Sequence, residues 1–576
     1  MSFFDWLIVL LFFAYIMWDG IRQNQHTNKL EDLLVAGRTM PWWAIGTSIL
    51  ATQASAISFI GTTGLAYMHD MSFIQIYLGL PLAMVILCIT LVPFYHKLKI
   101  YTAYEALEQR FGLRVRLLTS LLFLLSRGFA LGITVAAPSY VLALILNVPL
   151  SSTILIIGLS ATVYTMVGGI TGVIRTDVKQ MILMFLGLVF CFVWIVMKLP
   201  PEISFGQSLQ LAGTLGKLET LDLNFNLGEK YNIWSGLFAG LFLMLSYFGC
   251  DQSQVQRYLT ANSLKDARAS LIMAALTKIP FMFLILLLGV LLYVFYIFEK
   301  PPLMFSNQSK IDLTDQQLRN QHQTIFEQRK LAAYQLLKNT NEGIYRSQFL
   351  QADQRLLEIR KQVILDVEER EGSRKNDTNY ILPYFILHEM PIGFIGLIVA
   401  AILAAALSSI DSGLNSLATS SIMDWQARLF QRQKSDQYYL TATRIATAFW
   451  GLFAIIFALI LGETDSIIEL INKIGSYFYG AILGVFVLLW IKKTNGMGAF
   501  YGLLIGIAAV LILDQLYYHQ VTDSYQINWD TLFRSSELYG GPGVSKTLSY
   551  LWLNPIGCGC TVVSGYLLSL IPFSKT

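Results

Sequence analysis

Residues 42–68 read WWAIGTSILATQASAISFIGTTGLAYM. At about 1.5 Å per residue such a stretch crosses a hydrocarbon core of roughly 30 Å. It nonetheless carries Thr47, Ser48, Thr52, Gln53, Ser55 and Ser58, with Gly61 and Gly64 expected to loosen it. Polar side chains are costly against lipid and are tolerated where a helix lines a water-filled or ion-binding cavity, the recurrent form being a broken helix with freed carbonyls. Residues 400–421, AAILAAALSSIDSGLNSLATSS, repeat the pattern: Ser408, Ser409, Asp411, Ser412, Asn415 and Ser416 lie within three turns, behind alanines that admit a close neighbour. Carbonyl and hydroxyl oxygens suit a hard cation such as sodium. The same small and hydroxyl residues also serve as plain helix-packing glue, and the residues alone leave both readings open.

Outward from these two stretches the chain stays apolar. Of 576 residues 55% are hydrophobic and only 14% charged, too few for the surface of a soluble protein of this size. Apolar runs of about 18 to 30 residues recur, and the expectation is an all-α polytopic membrane protein with about 13 transmembrane helices in a lipid bilayer. The first run has Asp5 where a signal peptide would be basic, and reads as a retained span. A net charge of +4 points to no nucleic-acid partner. Basic residues such as Arg38, Lys97, Arg110, Arg116, Arg257, Lys265 and Arg428 fall in loops on one side of the proposed spans, which predicts a multi-pass inner-membrane protein with its N-terminus outside and C-terminus cytoplasmic. The five cysteines lie in or beside apolar runs, as small core residues do, and lack the paired spacing of a zinc site. No phosphate-cradling glycine loop, nucleophile elbow or kinase signature occurs, so an enzyme is not expected. Residues 299–378 differ: they hold the densest charge, with apolar residues every three or four positions, and predict a small amphipathic helical cap outside the cytoplasm, the alternative being a loosely ordered loop.

Four runs in order, LVAGRTMPWWAIGTSILAT (34–52), the GG..GVIRTDVKQ run (168–180), QVQRYL (254–259) and ALSSIDSGLNS (406–416), resemble the sodium:solute symporter family over about residues 30–298 and 380–495. The resemblance implies a LeuT-like core of five plus five helices in inverted repeat, with one leading and two trailing spans. Its boundaries here are a leading span and cytoplasmic loop at 1–41, a first repeat at 42–199, a second begun at 200–298, interrupted by the insertion at 299–378 and finished at 379–493, and trailing spans at 494–576. It implies a sodium site of the carbonyls of Ala51, Ala54 and Ala405 and the hydroxyls of Ser408 and Ser409. Some members hold a second sodium at positions matched by Asp177, Asp411 and Ser412. Those members have a hydroxyl where Asp411 stands, and a carboxylate there would strengthen a cation site or form a structural ion pair.

The solute is expected near the midplane. Gln53 and Ser58 on the first sodium helix, Gln75 and Tyr77 on the third span and Asn472 on the eleventh are candidates for binding or gating it. Tyr247 matches an inner-gate tyrosine of sugar-transporting members and Lys278 a lysine that contacts solute there; a core aromatic and a snorkelling lysine are the plain alternatives. Ile57, Ser58 and Tyr77 depart from the sugar transporters' polar groups, which argues against glucose. Arg127, near the middle of a span, meets either an anionic solute or an internal acid such as Asp177 or Asp251. The function expected is sodium-coupled symport of a small organic solute (a sugar, sugar acid or monocarboxylate) by alternating access, with sodium as the co-transported ion and no organic cofactor. The rival class is a transporter-like membrane sensor without net transport.

Overall fold

The structure, a computed structural model, describes residues 1–22, 29–146, 148–306, 316–338, 342–371, 377–430, 434–461, 467–522 and 548–571, and among these it is helical, with a single isolated bridge between Met40 and Ala261 and no strand. Ten helices are long and apolar enough to span a membrane, or eleven when a bent pair is counted as one span. Thirteen runs were expected, and the difference lies in how three of them are built. Leu150–Lys198, 49 residues without interruption, is two helices joined across a kink, in the place of the two spans expected there. At about 1.5 Å per residue it is long enough for two crossings. Its single break is Gly169, at φ 56, a left-handed position where a Cβ would also strike Leu33 of the short helix Leu30–Val35. The run expected at 233–256 ends early, as a π-turn Ser235–Ala239 and a helix Gly240–Gly249, because Asp251 leaves helical geometry and its carboxylate caps a separate helix, Gln252–Leu259.

The third difference is the stretch at 42–68, which is two helices, Trp42–Gln53 and Ala56–Met68, bent by 56°. The break falls at Ala54 and Ser55, where Ser55 is extended and its hydroxyl accepts the Ser58 N–H as an N-cap, and not at the glycines. Gly61 and Gly64 instead let residues 378–379 pass directly over the second half-helix, Ala56–Met68; a Cβ on Gly64 would collide with the Thr378 carbonyl. Against the break lies Phe394–Ser420. The leading helix Phe3–Arg22 packs on that helix and caps it: Asp5 Oδ1 accepts from the N–H groups of Gly393 (2.8 Å) and Gly396 (2.9 Å).

The insertion forms a helical hairpin, Gln316–Lys338 with Glu342–Glu371; its segments 307–315, 339–341 and 372–376 lie outside the described residues. Val363, Ile359 and Val367 close on Leu303 and Met304. Two buried ion pairs fix the hairpin to the membrane helices. Arg329 pairs with Asp353 (3.1 Å), which also accepts from Tyr293 at the end of Leu264–Phe298. Arg360 pairs with both oxygens of Asp377 (2.7 Å), one of which also accepts from the Phe305 N–H. Lys217 reaches the last carbonyls of the half-helix Ala56–Met68, at Tyr67 (2.6 Å) and Met68 (3.0 Å). Arg360 Nη1 donates to Met68 Sδ (3.7 Å), which joins the hairpin to the element that borders the break.

His322, buried within the hairpin beside Lys300, Arg329 and Arg360, has its pKa pushed down from its ordinary 6.5 to about 4, first by burial and then by those cations. The folded hairpin therefore favours neutral imidazole. Its contribution is complete above pH 6.5 and is lost as pH falls from 6.5 toward 4, by about 1 to 2 kcal/mol at pH 5. Hydrogen exchange of the hairpin amides should accelerate between pH 7 and pH 5 beyond the intrinsic rate change, and His322→Gln should remove that excess. Equal excess in both chains would contradict the assignment.

Candidate ion and solute site

A broken helix has carbonyls without their helical donors, and inside a membrane other groups must supply them. Here the Thr52 carbonyl accepts from Ser409 Oγ (3.0 Å), and the Gln53 carbonyl from Ser58 Oγ (3.1 Å) and Lys278 Nζ (3.1 Å). Ala51, Ala54 and Ala405 are buried around the same break, and Ser408 is buried with its hydroxyl unpartnered. Ser409 also donates to the Ala405 carbonyl (3.3 Å). The five positions matched to a sodium site therefore stand where two helices meet across an interrupted backbone.

Deeper in the bundle a second polar group forms around Arg257, which was expected in a cytoplasmic loop and is instead 1% exposed. Its Nη2 lies 3.3 Å from Asp177 and also donates to Ser412 Oγ; its Nε donates to Ser48 Oγ (2.8 Å), which donates to Asp177 (2.5 Å). Asp411 accepts from Tyr164 (2.7 Å) and Ser412 (3.2 Å). Asp177 is thus in an internal ion pair, made by a residue whose local sequence points to solvent. Arg116 is similar: expected in a loop, it is fully buried against Asp424 (2.7 Å) and Glu108 (2.5 Å). In both cases each buried charge is matched by one on a different helix, so the pair ties elements together.

Above the break a cavity is lined by Gln53, Ser58, Tyr77, Arg127, Tyr247, Lys278 and Asn472, all expected near a solute, together with Ser409. Gln75 lies elsewhere: in the 3-10 turn Ser72–Tyr77 its amide donates to the Tyr231 carbonyl (2.7 Å) and accepts from the Asp222 N–H (3.1 Å), holding a loop. Tyr479 also lines the cavity and was not foreseen. Its signal was present, since it lies seven residues after Asn472 and so on the same helix face.

Arg127 meets Asp251 at 3.1 Å, the internal acid offered as the alternative to a solute, and also donates to Ser253 Oγ. Its guanidinium lies over the Tyr247 ring (5.6 Å), and its Nε has no partner. Asp251 in turn accepts from Tyr479 (3.0 Å) and from the Ser253 N–H (2.9 Å). Lys278 differs. It is fully buried, touches the Gln53 carbonyl and the Tyr77 ring (5.1 Å), and no acidic side chain lies within ion-pair distance among the described residues. None of the residues lining the cavity is acidic.

Removing one member of a buried ion pair strands its partner, at a cost of about 3 to 5 kcal/mol. Arg257→Met keeps the volume and strands Asp177, so the detergent-solubilised protein should melt several degrees lower. An unchanged melting temperature would show that the pair does not hold these helices.

The family model described as the sodium:solute symporter family matches residues 33–321 and 360–506. The chain is similar to the sodium/sialic acid symporter SiaT of Proteus mirabilis, 29% identical over 528 residues that cover 88% of this chain and 89% of the relative. It is similar to the sodium/sialic acid symporter NanT of Aliivibrio fischeri, 27% identical over 88% of each chain, and to the sodium/glucose cotransporter of Vibrio parahaemolyticus, 28% identical over 89% of this chain and 85% of that one. A solved structure of a Na+-coupled sialic acid symporter in a substrate-bound outward-open state shares the fold, with a TM-score of 0.73 at 24% identity, covering 99% of this chain and 98% of that one. These relatives are transporters, not enzymes. The broken helix, the hydroxyls opposite it and the match across most of the sequence agree: this multi-pass membrane chain belongs to the sodium:solute symporter family, whose members couple solute movement to sodium.

Proposed function

We propose that this symporter carries a carboxylate-bearing solute of sugar-acid or monocarboxylate type. The observation that carries the reading is Lys278, a buried ammonium in a cavity whose lining includes no acid. An unpaired buried cation is costly, and an anionic solute would relieve that cost each time it binds. Arg127 alone would not support the reading, because Asp251 already balances its charge. Two relatives are named for sialic acid, a sugar bearing a carboxylate. Glucose cotransporters are relatives as well, but Tyr77, whose ring lies beneath Lys278, replaces the glutamate expected of sugar carriers.

Sodium is placed at the break, on the carbonyls of Ala51, Ala54 and Ala405 and the hydroxyls of Ser408 and Ser409. Apposition of the two helices builds that site, which ties ion binding to one arrangement of the bundle. The group Asp177, Asp411 and Ser412 is a weaker candidate for a second sodium, since Arg257 already reaches Asp177 and Ser412. The basic loops favour an N-terminus outside and a cytoplasmic C-terminus.

Two measurements test these assignments. The Ser408→Ala/Ser409→Ala double variant should lose at least about tenfold in sodium affinity, about 1.4 kcal/mol, while inserting normally. Unchanged sodium dependence of uptake would remove the site from the break. Lys278→Gln should raise the apparent constant for N-acetylneuraminate or another carboxylate by roughly tenfold, the worth of one charged hydrogen bond, with sodium affinity nearly intact. If uptake of a neutral sugar suffers as much, the anionic reading fails.

A further inference from the structure

We propose that Asp251 is a positioning residue whose pairing with Arg127 latches the cavity floor, and that an anionic solute opens the latch by taking the guanidinium from it. The proposal rests on the carboxylate reading above. Arg127 stands on Leu113–Leu146, while Asp251 stands at the junction of Gly240–Gly249 and Gln252–Leu259, so their contact ties two elements beneath the cavity.

The contact is of the kind that can be exchanged. Asp251 holds the guanidinium through one nitrogen, Nη2, whereas Nε, beside it on the same fork, is buried and has no partner. A carboxylate arriving from the cavity can engage Nε and Nη2 together, and a two-point pair outcompetes a one-point pair. Asp251 is not stranded when it lets go. Tyr479 Oη, the Ser253 N–H and Ser253 Oγ all still donate to it, at 3.0, 2.9 and 2.7 Å. The Tyr247 ring, stacked beneath the guanidinium and held through its hydroxyl by Gln254 (2.8 Å), would shift with it. Exchange therefore replaces one satisfied arrangement by another and releases Leu113–Leu146 from the end of Gly240–Gly249.

Cys250 is a native reporter: it adjoins Asp251, is 1% exposed, and its carbonyl accepts from Tyr104. The labelling rate of the Cys250 peptide by a maleimide, read by mass spectrometry on purified protein in sodium, follows the population of the open floor. Asp251→Asn removes the charge yet still caps Gln252–Leu259, since Asn serves as well as Asp at an N-cap. It should label Cys250 roughly tenfold faster than the unaltered chain, and Asp251→Glu should label at the unaltered rate. N-acetylneuraminate should accelerate the unaltered chain toward the Asp251→Asn rate and leave Asp251→Asn unmoved. If Asp251→Asn does not insert, Arg127→Gln removes the other half of the pair and should behave alike. Labelling of Asp251→Asn at the unaltered rate overturns the latch, as does equal acceleration of both chains by the acid. Either result, in a chain whose carboxylate uptake still depends on Lys278, leaves the solute reading standing and removes only the latch.

Discussion

A membrane helix cannot stop halfway without leaving carbonyls that no water will satisfy, and this chain stops one at Gln53 and restarts it at Ala56. Much of the surrounding structure follows from that interruption. Ser409 comes from one helix to meet the Thr52 carbonyl, and Lys278 from another to meet that of Gln53. Alanines at 400, 401 and 404–406 let Phe394–Ser420 approach closely enough for the contact, and Asp5 holds the start of that helix by capping it. The break is where a cation would have most to offer, because a bound ion would supply positive charge to carbonyls that have lost their helical donors.

Buried charge is arranged around the break with different degrees of completion. Arg116 and Asp177 each have their charge balanced within the protein by a partner on another helix, although Asp177 Oδ1 accepts no hydrogen bond. Arg127 is satisfied on one side and open on the other, and Lys278 is open. Arg127 and Lys278 both line the cavity. A symporter needs this gradation: pairs that never open keep the scaffold together, while those that do open must be near balance, so that a solute contributing one charge can shift them. The hairpin at 316–371 adds fixed pairs of its own, where Arg360 and Arg329 join it to Asp377 and to the helix Leu264–Phe298.

Helical class and membrane setting were legible because hydrophobic length is a strong signal. The two polar helices that meet at the break were legible because hydroxyls and an amide within an apolar run are costly against lipid unless they line a polar cavity. The exact place of the break was not legible. Gly61 and Gly64 looked like the weak points, but the short polar cap at Ser55 ended the helix and the glycines served close packing. Arg257 was misread as a loop residue since its acid, Asp177, lies 80 positions away, and a single sequence carries no record of such pairings. Gln75 failed as a cavity residue for a related reason: the loop that claims its amide is more than a hundred residues distant. Seven of the eight solute candidates do share one cavity, because they were chosen from spans that the fold brings together.

In the proposed mechanism, coupling depends above all on an ion occupying the helix break. Thallium substitutes for sodium and scatters strongly, so an experimental structure with thallium in place of sodium locates the ion directly. Density is expected among Ala51, Ala54, Ala405, Ser408 and Ser409. Density beside Asp177 and Asp411 with none at the break would contradict that placement.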